Sequence, residues 1–140
     1  MKAPRSVGRQ LIVMATMYLM TSLALGFFMG VTEDHSLFSV HSHLALLGWA
    51  TMGLTGLVYL VLPACGNSAL ARVHFWLHNL GLPVMMVALA LVTRTSVPAQ
   101  PAVGLGSLLV VLALLAFTIN VVRNGRAAAP AAEAAEAAGR

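Results

Sequence analysis

Apolar residues run in four long blocks, at about 11–31, 40–62, 74–92 and 102–122, separated by short polar or breaker-rich stretches. Each block reaches the roughly 20 residues that a helix needs to cross the hydrocarbon of a bilayer. The separators hold turn and breaker residues: Thr32-Glu33-Asp34, Pro63-Ala64-Cys65-Gly66-Asn67 and Pro98-Ala99-Gln100-Pro101. The pattern predicts an all-α membrane protein with four transmembrane helices in one domain over residues 1–126. Residues 127–140 form an Ala/Glu low-complexity tail interrupted by Pro130, open to either a partly helical or a disordered reading.

Composition agrees, because a chain that is 59% hydrophobic and 9% charged carries more apolar surface than a soluble core of this length can hide. The basic residues set an orientation. Lys2, Arg5, Arg9, Arg72, Arg123, Arg126 and Arg140 fall on one side of the predicted spans and Arg94 alone on the other. The positive-inside rule then places both termini in the cytoplasm and Glu33, Asp34 and His35 outside, as in a multi-pass protein of a bacterial-type inner membrane. The basic start and first apolar run also resemble a signal peptide, but the run is too long for one and reads as an uncleaved first helix. The net charge of +4 is thus a topology signal, and no basic patch interleaved with aromatics points to nucleic acid. Cys65 is the only cysteine, which excludes an intrachain disulfide and leaves a reduced thiol as the expected state.

Against this apolar background the histidines are the candidate chemistry, since ionisable groups in a span are costly and mark sites. Four of the five histidines lie in or at the edge of the predicted spans. On the second helix, His41 and His43 project about 200° apart and so cannot bind one metal from a single face. The face of His41 continues through Ala45, Gly48, Met52, Thr55 and Tyr59, and Ala45 and Gly48 leave a trough in which a flat macrocycle can lie. The face of His43 carries Leu47, Ala50, Leu54 and Leu57. A plainer reading has both imidazoles capping the helix at the interface, bonded to water or headgroups.

On the third helix, His74 and His78 stand one turn apart and share a face with Gly81 and Met85. Two readings stay open: a transition-metal site, since neutral imidazole suits copper, iron or zinc, or a structural network with Asn79. Pro83 removes the amide that would bond the Asn79 carbonyl, so a bend is expected there. Helix direction puts the two pairs at different depths, about 15–20 Å apart, too far for one ion to join them. Ser22, Gly26 and Gly30 form a small-residue stripe on the first helix that favours close helix association.

His41-Ser42-His43, at the outer end of the second span, resembles the His-x-His of the tenth helix in the main subunit of heme-copper oxidases and nitric oxide reductases. The stretch 41–63 with 72–83 is also similar to small four-helix proteins related to that subunit and to part of the NnrS family of heme-containing membrane proteins. The resemblance covers helices two and three. It implies that this chain is one four-helix arc of a pseudo-threefold architecture, that three copies rebuild it as a homotrimer, and that each pore receives His41 of one protomer and His43 of the next. It implies heme b as cofactor and electron transfer or redox or gas sensing as the role, with Ala45 and Gly48 against the macrocycle. Arg94 is a candidate for the heme propionates or, alternatively, for headgroups. The family's oxygen chemistry needs a copper with three histidines and a nearby tyrosine. Here no third histidine is expected at the depth of His41 and His43, and Tyr59 lies about 27 Å below His41 by helical rise. Two alternatives remain: a minimal oxidase or nitric oxide reductase, and a non-heme copper or zinc protein using His74 and His78.

Overall fold

A computed structural model describes residues 6–95 and 97–125. Four helices dominate it: α1 (Val7–Thr32), α2 (Phe38–Val61), α3 (Ala69–Arg94) and α4 (Gln100–Asn124), each long and apolar enough to cross a membrane. A single turn, Pro63–Gly66, separates α2 from α3. No strand occurs among the described residues. This is a multi-pass membrane protein. The basic residues Lys2, Arg5, Arg126 and Arg140 and the tail at 127–140 lie outside the described residues.

Local chemistry explains the boundaries. The Ser6 hydroxyl accepts the Arg9 amide at the start of α1, and Ser68 does the same for Ala71 at the start of α3. Because Ser68 caps, α3 begins five residues before the predicted 74 and takes Arg72 into its second turn. Glu33, with φ at 57°, adopts the left-handed conformation that ends α1. Pro63, at the first position of the short turn, cannot continue α2. Pro83, by contrast, does not interrupt α3, and the Asn79 side chain turns back to donate to the Phe75 carbonyl at 2.8 Å.

The helices pack as two hairpins, α1 with α2 and α3 with α4, each closed by glycines where backbones meet. A Cβ on Gly8 would stand 2.7 Å from the Gly56 carbonyl oxygen, and one on Gly56 2.9 Å from that of Gly8. On the other hairpin a Cβ on Gly106 would stand 2.5 Å from the Met85 amide nitrogen. Small residues permit this approach where no hydrophobic driving force acts between helices in lipid. The hairpins meet through side chains. Val40 and Leu44 pack on Leu82, Met85 and Met86 near the loop that carries Glu33 and Asp34, while Tyr59, Cys65 and Ala71 pack together toward the other end, where α1 starts and α4 stops. These are called the acidic-loop end and, for the end that holds the start of α1 and the close of α4, the termini end below. Outward faces expose Met17, Phe27, Leu54, Trp76, Val87 and Val111, the inside-out distribution that lipid tolerates.

One irregularity redirects α2. Residues Leu44–Thr51 are π-helical, directly after the His-x-His. A π turn takes an extra residue, so the face below it slips. Above and within the irregular stretch, His41 and Gly48 face α1. Below it Gly53, Gly56 and Leu60 do so, each one residue later than the ideal 52, 55 and 59. The slip, about 100° for one residue, brings the Tyr59 ring against His74 and Phe117 of the second hairpin.

Candidate functional site

The four histidines of the spans fall into two unlike settings. At the acidic-loop end, His41 lies across α1. Its Nδ1 is 2.9 Å from the Ser22 carbonyl oxygen, and the Ser22 hydroxyl donates to the His41 carbonyl at 3.1 Å. A Cβ on Gly26 would come within 2.9 Å of His41 Cε1, so the glycine is what lets the ring lie flat there. His43 places Nδ1 2.7 Å from the Ser39 carbonyl oxygen one turn back. A carbonyl only accepts, so in both rings Nδ1 carries the proton and the neutral imidazole keeps its lone pair on Nε2. Neither Nε2 has a partner among the described residues, and neither is sealed. A fixed Nδ1–H and a free Nε2 is how ligating histidines are commonly held.

The stripe of small residues on α1 is thereby accounted for differently from the expectation. Ser22 and Gly26 receive His41 of the same chain, and only Gly30 faces open space. The trough at Gly48 is likewise filled: a Cβ there would stand 2.7 Å from Tyr18 Cβ, so α1 covers the ground assigned to a macrocycle. Ala45 beside it is half-buried. Arg94 donates to Asp34 at 2.8 Å and to Ser36 at 3.2 Å, tying the two loops at this end together. The amide of Ser36, chiefly, holds the Asp34 carboxyl below its usual range. An apolar groove of about 470 Å³ opens sideways between α1, α2 and α3, lined by Ala24, Phe28, Val40, Leu44 and Met86 among others. Neither histidine of α2 lines it.

His74 and His78, on α3, are fully buried at the junction of the hairpins. The Nε2 of His78 donates to the Leu47 carbonyl, inside the π-helical stretch, at 3.2 Å. This corrects the depth estimate for that residue: Leu47 is four residues below His43, about one helical turn, so His78 stands nearer the first pair than expected and His74 lies deeper still. The His78 Nδ1 and both nitrogens of His74 have no hydrogen-bond partner among the described residues. Tyr59 and Phe117 close over His74, with ring centroids 5.6 and 5.4 Å away, and the His74 and His78 rings stand 5.6 Å apart.

Below them a polar cluster reaches toward the termini end. Buried Asn120 donates to the Tyr59 hydroxyl at 3.3 Å and to the Cys65 carbonyl at 3.1 Å, and accepts from Ser68 at 2.9 Å and Asn124 at 2.7 Å. Burial pushes the Cys65 thiol above its ordinary pKa. Asn120, Ser68 and the pairing of Tyr59 with His74 were not singled out from sequence. A polar Asn120 inside an otherwise apolar run was the available signal for the first, but the Tyr59 contact depends on the π slip. Comparison with known protein families, with characterised proteins and with solved structures gives no match.

Proposed function

We propose that the protein is a membrane heme protein in which copies of the chain share b-type hemes between them, transferring electrons or sensing redox state or gases. The observation that carries this reading is the state of His41 and His43: each has its tautomer set by a backbone carbonyl and holds a free Nε2 lone pair at the surface. The residues fit axial ligation, whereas Gly48, covered by Tyr18, does not serve as a macrocycle bed. Because the two rings leave opposite sides of one helix, no single chain brings both lone pairs to one iron. A neighbour must supply the second. Three copies, each offering His41 to one neighbour and His43 to the other, would complete three equivalent sites. A heme held there by His41 and His43 would supply one-electron chemistry. The protein's part is to orient the imidazoles through Ser22 and Ser39 and to keep water away with the apolar faces around them.

Coexpression tests the reading. His41→Ala and His43→Ala chains should each lose the six-coordinate heme spectrum alone and open a carbon monoxide site, while His35→Ala leaves it intact. Mixed assemblies should regain it where an intact His41 meets an intact His43. A mixed spectrum equal to the average of the two variants, or a monomeric mass by native mass spectrometry, overturns the shared site. Unchanged spectra in both variants overturn heme ligation itself.

A further inference from the structure

The buried pair His74 and His78 is not used by that reading, and its chemistry is unresolved in a different way. Three ring nitrogens lie at full burial without a hydrogen-bond partner among the described residues. Buried polar atoms in lipid are almost always satisfied, because each orphan costs its desolvation in full. His78 shows where its lone pair is. Since Nε2 carries the proton given to Leu47, Nδ1 is the basic nitrogen, buried and unpaired. His74, one turn away on the same face, has a lone pair on whichever nitrogen is not protonated.

The ring spacing fits a shared ion. With nitrogen–metal bonds of about 2 Å, two imidazoles on one metal have centroids no more than roughly 6 Å apart; here they are 5.6 Å apart. The surroundings then select the ion. No three His, Cys, Asp or Glu side chains converge among the described residues, so a cation that demands four protein ligands is not provided for. The described carboxylates, Glu33 and Asp34, stand in the loop that follows α1, outside the span, so no described anion offsets a second positive charge at the buried pair. Desolvation cost rises with the square of the charge, which favours a monovalent ion. Tyr59 and Phe117 present aromatic rings beside His74, an environment that accepts a weakly hydrated cation. We propose that His74 and His78 form a two-coordinate site for monovalent copper, sealed between the two hairpins and oriented by the Leu47 carbonyl. It stands independently of the heme assignment.

Anaerobic titration of the purified full-length protein with Cu(I), against a coloured competing chelator, tests it. One copper per chain is expected, with His74→Gln and His78→Gln each weakening retention at least about tenfold and His41→Gln and His43→Gln leaving it unchanged. Loss confined to the His41 or His43 variants, or equal retention by a His74→Gln/His78→Gln double variant, overturns the site. Should a variant fail to fold, Ag(I) on the wild-type protein with nitrogen-15 labelled histidine gives the answer. Silver coupling at exactly two imidazole nitrogens, one of them His78 Nδ1, supports the site. Unshifted His74 and His78 resonances overturn it.

Discussion

At the acidic-loop end, His41 and His43 each spend one nitrogen on a backbone carbonyl and hold the other at the surface of the chain. At the junction of the hairpins, His74 and His78 bury three unpaired nitrogens among aromatic rings. The side chain is the same and the membrane is the same, yet one pair keeps a nitrogen within reach of a neighbouring molecule and the other is closed off within the chain. The difference lies in what surrounds each ring: a glycine and a serine of α1 for His41, two hairpins closing from both sides for His74. A pair of imidazoles in a span is therefore not one signal, and replacing members of each pair should move the protein in opposite directions.

The largest effect is expected below the buried pair. Asn120 makes four hydrogen bonds to Tyr59, Cys65, Ser68 and Asn124, and at roughly 0.6 kcal/mol for each bond within a membrane protein, Asn120→Leu should cost about 2 kcal/mol. Thermal unfolding in detergent measures it. A loss no larger than that of a lipid-facing control such as Leu112→Ala would mean that the cluster does not join the hairpins.

Next is the sign test. In copper-free protein His74→Phe removes two orphaned nitrogens from an aromatic pocket and should stabilise the fold by about 1–2 kcal/mol. His41→Phe removes the bond to Ser22 and should destabilise it. If the buried pair holds copper, loading with Cu(I) should stabilise the wild type by linkage and reverse the ranking at His74 alone. Destabilisation by His74→Phe in the absence of copper would show that the ring is satisfied by water and would erase the contrast.

How far the sequence foretold this depends on helical regularity. The four spans, their order and their separators were legible because they follow from hydropathy and breakers, and the termini of α1, α2 and α4 fall within about four residues of the expected ones. The placement of His41 and His43 on opposite sides was legible for the same reason, since both precede the π-helical stretch. Everything below it was misaligned by one residue. Tyr59 belonged on the His41 face of an ideal helix and instead meets His74, and no residue between Leu44 and Thr51 announces the irregularity by a proline or a polar break. The small-residue stripe failed differently: the spacing of Ser22 and Gly26 says that something approaches closely, but not that it is His41 of the same chain.

Gly26→Ala sharpens that last point with a moderate effect. Its Cβ would come within 2.9 Å of the His41 ring, which can yield only by swinging off the Ser22 carbonyl. The fold should lose about 1 kcal/mol, while ligation through His41 falls and that through His43 persists, giving a carbon-monoxide-reactive heme like that of His41→Ala. Gly30→Ala, with open space around it, is the matched control and should change neither. Equal effects at both glycines would mean that the stripe packs between chains after all.

The smallest effect is expected at Arg94, and it decides between two occupants for one guanidinium. The pair with Asp34 is exposed on both sides, at 41% and 42%, so Arg94→Gln should leave thermal stability almost unchanged. The Asp34 carboxyl is held below its usual range. Its contribution is therefore complete above the unfolded value near 3.9 and disappears only as pH falls through the lower folded value. The difference in stability between the wild type and Arg94→Gln should accordingly stay unchanged from neutral pH down to about 5. If Arg94 stays with Asp34 and Ser36, the heme spectrum and reduction potential of Arg94→Gln match the wild type. A displaced potential would show that the guanidinium leaves the loop for the propionates once heme is bound, and that this end of the chain, unlike the sealed junction of the hairpins, rearranges around what it receives.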